Sequence, residues 1–406
     1  MSKQKKLMLL GGIRYLLPVI KAAHEQGYHV ITADYLPDNI AHKFSDEYVN
    51  VSIVDKEAVL RVAQEKQIDG IMSFGVDPGV MAAAYVQNEI KLPSFGPFES
   101  VKILQNKDKF RAFLAHHGFN VPKAKGFHSI EEALADKSWY DYPVIVKPTD
   151  SAGSKGVTRV DRQEDWQPAL EYAFKHSIKG RIIVEEFLEK QGCSSDTDCY
   201  SEDGLLKFVN FNSQHFDENA TNPYTPAAYS WPSTFTKSEE TYLTSEIQRL
   251  ITLLGMKTCV FNIETRVATN GKPYIMEMTP RGGGNRLCEM LHYATGVDMI
   301  TAITRYVVGD SVPEIIQKSY QGHWAEIILH ANQTGVFQSL QIDRNIPFEL
   351  IEEDLWVHKG DLVRSFEGAN DAIGTLVLKF NSQEQLEETL RNQKEWLHII
   401  VKQVSN

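Results

Sequence analysis

The chain has 406 residues, 42% of them hydrophobic, which is too many for one core and enough to bury two to four structural units. A formal net charge of −11, with the basic residues dispersed rather than gathered into a run, argues against nucleic acid as a partner. The four cysteines, at 193, 199, 259 and 288, form no Cys-x-x-Cys pair, and no run approaches the ~18 apolar residues of a membrane span, so reduced thiols and a soluble, cytoplasmic protein are expected.

The first hundred or so residues alternate between two periods. Strands are expected at 6–10, 28–33 and 70–73, with helices over 14–26, 56–66 and 80–86, an order that implies parallel strands joined by crossover helices. Gly11 and Gly12 follow the first strand and Asp34 closes the second, which invites a dinucleotide reading, but the turn does not spell G-x-G-x-x-G. Pro93 to Pro97 then closes the α/β pattern ahead of a helix from about Glu99. Residues 121–186 read as a small α+β lobe, and residues 190–300 as a larger antiparallel α+β unit. From about Gln321 new strands appear, at 323–331 and 372–380, with a helix over 383–391 and a last strand over 398–404.

Two stretches carry chemistry. In Val144-Ile-Val-Lys-Pro-Thr-Asp-Ser-Ala-Gly-Ser-Lys-Gly-Val157 a lysine ends a β-branched run and a loop of Ser151, Gly153, Ser154 and Gly156 follows at once. Lys147 is a point charge for phosphate oxygens, and the loop can bring backbone N–H groups up to them; an ordinary hairpin is the alternative. Further on, the runs 259–265 and 274–284 are joined by an Asn-Gly turn, a strong hairpin signal. One run holds Glu264 and the other Glu277. Two acidic groups facing each other in a half-buried sheet repel and lose hydration, so they call for a cation, and hard oxygen ligands point to Mg²⁺.

The order of these elements, lysine and Gly/Ser loop, then Ile182-Ile-Val-Glu-Glu-Phe-Leu188, then paired carboxylates and an arginine, resembles the ATP-grasp superfamily over nearly the whole length. The resemblance implies an amino-terminal Rossmann-like α/β domain at 1–97, an ATP-grasp fold of two α+β lobes at 98–308 with the small lobe at about 121–188, and a carboxy-terminal α+β domain at 309–406. It places Lys107 and Lys147 as phosphate-binding lysines, and Glu185, Glu186 and Leu188 in the adenine-recognition segment. Glu264 and Glu277 fall at the magnesium positions, and Arg281 at that of the arginine contacting the transferring phosphate and the acyl group. The third metal position, usually asparagine, is Thr279, whose hydroxyl is a weaker ligand than an amide carbonyl. An acidic residue for the ribose is not placed within 190–198. The amino-terminal Gly12, Arg14, Asp34 and loop 74–77 are candidates for a substrate site, or simply turn residues.

Other features admit two readings each. The stretch 208–235 interleaves Phe211, His215, Phe216, Tyr224, Tyr229 and Trp231 with three prolines, as a pocket wall or as a loop pinned by its rings. His215 without an identifiable partner is more often structural than catalytic. The Gly282-Gly-Gly284 run leads into an expected helix over 285–293, as an anion-binding approach or a plain entry turn. Walker-type and protein-kinase elements are absent.

The activity implied is an ATP-dependent, ADP-forming carboxylate–amine ligase working through an acyl phosphate, with ATP and Mg²⁺ (or Mn²⁺) as cofactors and a small carboxylate and an amine as partners. Lys147 and Arg281 are the catalytic candidates. The rivals are a carboxylase that phosphorylates bicarbonate and a nucleotide-binding protein without catalysis. A homodimer is the commonest expectation for a soluble enzyme.

Overall fold

The computed structural model describes residues 3–150, 156–343 and 346–403. They form two compact units. The first takes the chain up to Ala124 with Thr197–Asn210 and Thr236–Lys318; the second takes Lys125–Asp196, Phe211–Phe235 and the chain from Ser319 on. Among the described residues no helix is long and apolar enough to cross a membrane.

In the first unit the alternating pattern produces a parallel sheet in the order Glu47–Asn50, His29–Asp34, Lys6–Leu10, Gly70–Ser73. Its central strand is buried on both faces, with Leu7, Met8, Leu9 and Leu10 fully enclosed, as a parallel sheet covered by helices requires. The Lys56–Lys66 helix starts where the Asp55 carboxylate accepts the Ala58 N–H and stops at Gln67, which turns left-handed. The helix expected from Arg14 differs at its start. Residues Arg14–Leu16 make a 3₁₀ turn and the α-helix is Leu17–Glu25, with Pro18 in its first turn where no N–H is needed.

The same unit holds a second sheet in the order Leu205–Val209, Ser195–Glu202, Cys259–Val267, Pro273–Thr279. The Lys237–Leu253 helix opens with a capping box between Thr236 and Glu239 and buries Leu243, Ile247, Leu250 and Ile251, a single apolar stripe. One expected element moves. The helix placed over 285–293 is Leu287–Thr295, because Asn285 and Arg286 have φ of 51° and 56°, left-handed values that a right-handed helix cannot include.

The second unit contains three sheets. The first has the order Ala124–Phe127, Ile182–Glu186, Val144–Pro148, Thr158–Val160, and its apolar side closes over Phe127, Val146 and Trp166 with the Trp166–Lys175 helix. A five-stranded sheet runs Ser213–Phe216, Pro226–Trp231, His323–His330, Ala372–Phe380, Glu349–Leu355. One of its faces, with Ala325, Ile327, Leu376 and Leu378, shares a core with Phe337 and Leu397 of the small sheet Leu362–Val363, Gly335–Ile342, Leu397–Lys402. That last strand ends at Lys402, short of its expected end, and residue 404 lies outside the described residues.

Gly70 shows how closely the first unit is packed. A Cβ there would lie 2.3 Å from the Val307 carbonyl oxygen, at the end of the Met299–Val307 helix, and backbone cannot step aside as a side chain can. Gly70→Ala is therefore expected to cost about 1–3 kcal/mol, the range for overpacking. Thermal unfolding reads the loss directly, and an unchanged midpoint would contradict this account of the contact.

Candidate active site

The Asn270-Gly271 turn, with Gly271 at φ 75°, closes the hairpin and sets its register. Asn262 pairs with Thr279 and Glu264 with Glu277. Alternation along the strands puts all four on one face. Two carboxylates directly opposite in an antiparallel ladder repel, and each here has a cation. Lys107 Nζ lies 3.6 Å from Glu277 Oε1, and an Arg266 Nη lies 3.6 Å from Glu264 Oε1. Lys107 is delivered by position, as the first residue of the Lys107–His116 helix, whose Asn106 cap accepts the Lys109 N–H. Glu264 and Glu277 keep 33% and 44% of their side chains exposed, so water reaches the pair.

This donor set fits Mg²⁺. Two carboxylates and a nearby hydroxyl are hard oxygen ligands, and a magnesium ion keeps waters or phosphate oxygens in its remaining positions. No group of three or more His, Cys, Asp or Glu that could hold a metal ion occurs among the described residues, so a full protein cage is not built from those side chains. Thr279 is buried on the same strand face as Glu277.

Arg281, four residues after Glu277, is only 9% exposed. Its Nε and Nη2 donate to Asp77 Oδ1 at 2.8 and 2.6 Å, and its Nη1 donates to the Gly282 carbonyl at 2.9 Å. The following turn is crowded. A Cβ on Gly282 would come within 2.2 Å of the Phe74 ring, and one on Gly283 within 2.9 Å of Leu287, Asn262 and Asp198, so glycine is required at both positions. Asp198, fully buried, accepts the Gly283 N–H on both carboxylate oxygens at 2.9 and 3.0 Å, the Asn262 amide at 3.2 Å and the Cys288 thiol at 2.9 Å. Burial pushes its carboxyl up to about 6, against the thiol, Arg281, the Gly283 N–H and the Asn262 amide, which pull it down. Beside this turn lies a small cleft lined by Tyr15, Phe74, Gly283, Arg286 and Glu289. The Tyr15 hydroxyl donates to Asn285 Oδ1 at 2.9 Å.

Sequence reasoning left Asp198 without a role and missed Asn262. Their signal is faint: a carboxylate in the polar strand Ser195–Glu202 and an amide in the Cys259–Val267 strand, bonded to each other across 64 positions of sequence.

The second unit carries the other candidates. Lys147 Nζ lies 2.6 Å from Glu185 Oε2, with the lysine 16% and the glutamate 1% exposed. Val144–Pro148 pairs antiparallel with Ile182–Glu186, Ile145 opposite Glu185, which brings Lys147 and Glu185 to one face of adjacent strands. Beyond Glu185 the chain presents Glu186 outward, bonds the Phe187 N–H to the Pro143 carbonyl and buries Leu188. Arg159 holds this segment from the side, over the Phe187 ring at 4.3 Å and 2.9 Å from Glu189 Oε1. Gly156 has φ 75°, and a Cβ there would meet Pro148 and His176 at 2.8 Å. Ser151, Gly153 and Ser154 lie outside the described residues.

Several candidates are absorbed by local structure. Asp34 Oδ1 accepts the N–H groups of Tyr35 and Leu36, and Oδ2 the Asn39 amide, while a Cβ on Gly12 would come within 2.5 Å of Asn39 and His42. Asp34 is thus engaged in turn chemistry. His215 bonds the Ser230 hydroxyl through Nε2 at 2.8 Å, and burial, with Lys190 nearby, lowers it to about 4, so it is neutral near pH 7. In the aromatic stretch Phe211, Tyr229 and Trp231 are buried and the Tyr229 hydroxyl donates to Asp196, while Asn222 and Thr225 bond the Glu367 carbonyl. This stretch is anchored by its rings and amides.

Residues 140–289, which contain Lys147, Glu185, Glu264, Glu277 and Arg281, match the family model described as the ATP-grasp domain. The chain carries an ATP-grasp domain. The resemblance read from the lysine loop, the 185–188 segment and the acidic hairpin is thereby borne out. The fold of this chain is similar to that of an L-amino acid ligase from Bacillus licheniformis, at a TM-score of 0.81 and 21% identity, covering 99% of this chain and 100% of that one. It is also similar to the biotin carboxylase domain of the Hydrogenobacter thermophilus 2-oxoglutarate carboxylase, solved with MgADP, ADP and bicarbonate, at 0.75 and 16%, covering 98% and 91%. Identities this low carry the fold alone. A curated relative, the carbamoyl phosphate synthase large chain of Clostridium perfringens, is 22% identical over 77% of this chain, which spans 30% of that relative's length.

Asp198 makes a pH signature. Its carboxyl is raised in the fold, so the stability it contributes is complete below its unfolded value of about 3.9 and is lost as pH rises through about 6. Asp46, Glu47, Asp217 and Asp310, whose carboxyls are lowered, act in the opposite sense but are common to the wild type and an Asp198→Asn variant. Chemical denaturation of both at a series of pH values should show the wild type losing about 2 kcal/mol relative to the variant between pH 4 and 7. Parallel curves would contradict the assignment.

Proposed function

We propose that the chain is an ATP-dependent, ADP-forming ligase that joins a small carboxylate, an amino acid or related metabolite, to an amine. The observation that carries this reading is the direct pairing of Glu264 with Glu277, with Lys107 on one carboxylate and Arg281 four residues further on. A carboxylate is a poor electrophile because its oxygen is a poor leaving group. Transfer of the γ-phosphate makes an acyl phosphate, which the amine then attacks, releasing phosphate. Such a transfer asks for alignment and charge neutralisation rather than a protein nucleophile.

In this reading Lys147 and Lys107 bind phosphate oxygens, and main-chain groups around Glu185, Glu186 and Leu188 take the adenine. Ser151, Gly153, Ser154 and Gly156 are assigned to the phosphates, where excluding water would protect the acyl phosphate. The ion pair with Glu185 orients Lys147. Glu264 and Glu277 would hold Mg²⁺, with Thr279 acting through a water; when bound, the ion neutralises charge on the phosphates. Arg281 meets the charge that builds on the transferring phosphoryl and the carboxylate. The four free cysteines suit a reducing cytoplasm.

A second reading takes bicarbonate as the carboxylate. The likeness to a biotin carboxylase domain solved with that anion favours it.

Label transfer tests the reading. With ¹⁸O in the carboxylate, labelled phosphate and ADP are expected, since the bridging oxygen leaves with phosphorus. AMP and pyrophosphate, or unlabelled phosphate in a productive reaction, would sink the proposal. Stimulation of ADP release by amino acids supports the ligase, and by bicarbonate alone the carboxylase.

Two substitutions probe the two sets of residues. Lys147→Ala should weaken ATP binding by about 1.5–3 kcal/mol, as for a hydrogen bond to a charged group, and isothermal titration measures it. Glu277→Gln keeps shape and removes a charge, so turnover should collapse with the fold intact by circular dichroism; ordinary activity at ordinary magnesium would reduce the acidic pair to a hairpin feature.

A further inference from the structure

An arginine that stabilises a transition state is useful only if its planar fork is aimed before the reaction begins. Arg281 is buried, and its aim depends on what grips its guanidinium. It follows the Pro273–Thr279 strand and precedes three glycines, whose backbone has no side chain to restrain it. The restraint comes from the Phe74–Asp77 loop, which follows the Gly70–Ser73 strand of the amino-terminal sheet.

Three contacts tie that loop to the arginine turn. Asp77 Oδ1 takes both Nε and Nη2 of Arg281, at 2.8 and 2.6 Å. The Gly75 N–H donates to the Gly282 carbonyl at 2.9 Å, and that same carbonyl accepts Nη1 of Arg281, also at 2.9 Å. The Phe74 ring fills the space a side chain at 282 would need. A guanidinium gripped along its Nε–Nη2 side, and again through Nη1, cannot rotate about its last bonds. The direction of its Nη1–Nη2 edge is then fixed.

We propose that Asp77 is the positioning residue for Arg281, so that the amino-terminal α/β sheet aims the arginine at the carboxylate being phosphorylated. The proposal rests on the ligase reading of Arg281 given above. The loop has a role distinct from contacting substrate: it converts a mobile cation at the head of a glycine turn into an oriented one. Asp77 also offsets the charge of a side chain that is nine-tenths buried, which a neutral residue cannot do.

The test uses the full chain, with the twenty standard amino acids or bicarbonate as carboxylate and hydroxylamine to trap acyl phosphate as hydroxamate, alongside ADP release. Asp77→Asn should lower the trapped product roughly 100-fold while Mg-ATP affinity stays within about threefold, since a misaimed group costs rate rather than nucleotide binding. In ¹⁵N-arginine spectra the Arg281 Nε–H should lose its protection from exchange in the same variant. Asp77→Glu, which keeps the charge on a longer arm, should recover part of both signals, and serves alone if the Asn variant does not fold. A variant matching an active wild type in rate overturns the assignment of Asp77, as does a protected Nε–H in Asp77→Asn. A wild type that releases no ADP with any of these carboxylates overturns the ligase reading, and with it this assignment.

Discussion

Two carboxylates set face to face on a half-buried hairpin are the constraint around which the first unit is arranged. Glu264 and Glu277, at directly opposed ladder positions, repel each other without compensation. The fold supplies it from two directions: Lys107 from the start of a helix that lies far away in sequence, and Arg266 from the same strand. Each cation is held off at 3.6 Å, loose enough that neither seals the carboxylate it faces. An acidic pair neutralised at arm's length and left partly open to water is suited to trading those partners for a divalent ion.

The turn after the hairpin answers a different demand. Arg281, Gly282 and Gly283 run through a space where side chains of Phe74, Leu287, Asn262 and Asp198 leave no room for a Cβ. Glycine makes the path possible but leaves the backbone loose, and the looseness is removed by two carboxylates, Asp77 on the guanidinium and Asp198 on the Gly283 N–H. Asp198 is expensive, since burial raises its carboxyl to about 6 and its ionised form therefore weakens the fold at neutral pH. Its three kinds of donor, a backbone N–H, an amide and a thiol, keep that charge tolerable.

What could be read from the sequence follows from how locally each feature is encoded. The Lys56–Lys66 helix carries its cap in Asp55, and the acidic hairpin carries its turn in Asn270-Gly271, so both were legible, including the side-by-side placement of Glu264 and Glu277. The start of the Leu287–Thr295 helix was not. Asn285 and Arg286 are ordinary helix residues by pattern, and only the crowded path of the glycines before them explains their left-handed backbone. The roles of Asp77 and Asp198 were hidden for a related reason, as their partners lie 64 or more residues away and no local period announces a contact of that range. Conversely, Gly12 and Asp34 looked like a nucleotide signature, and a turn that uses both carboxylate oxygens internally accounts for them.

The departure at position 279 bears on how metal and nucleotide would arrive. Mg²⁺ demands near-octahedral oxygen coordination and gives up water reluctantly. Under the ligase reading two carboxylates supply a minority of its ligands, and a threonine hydroxyl, a weaker donor than the amide usual in the family, adds little. Phosphate oxygens then have to complete the sphere. Free metal would be held weakly by a pair of glutamates that already have Lys107 and Arg266 beside them, since it must compete with both cations. Bound to ATP, the ion would bring further ligands with it, and Lys107, 3.6 Å from Glu277, would be the residue to turn toward the phosphates. Metal and nucleotide affinities are in that case coupled, each strengthening the other by the same factor, as linkage requires.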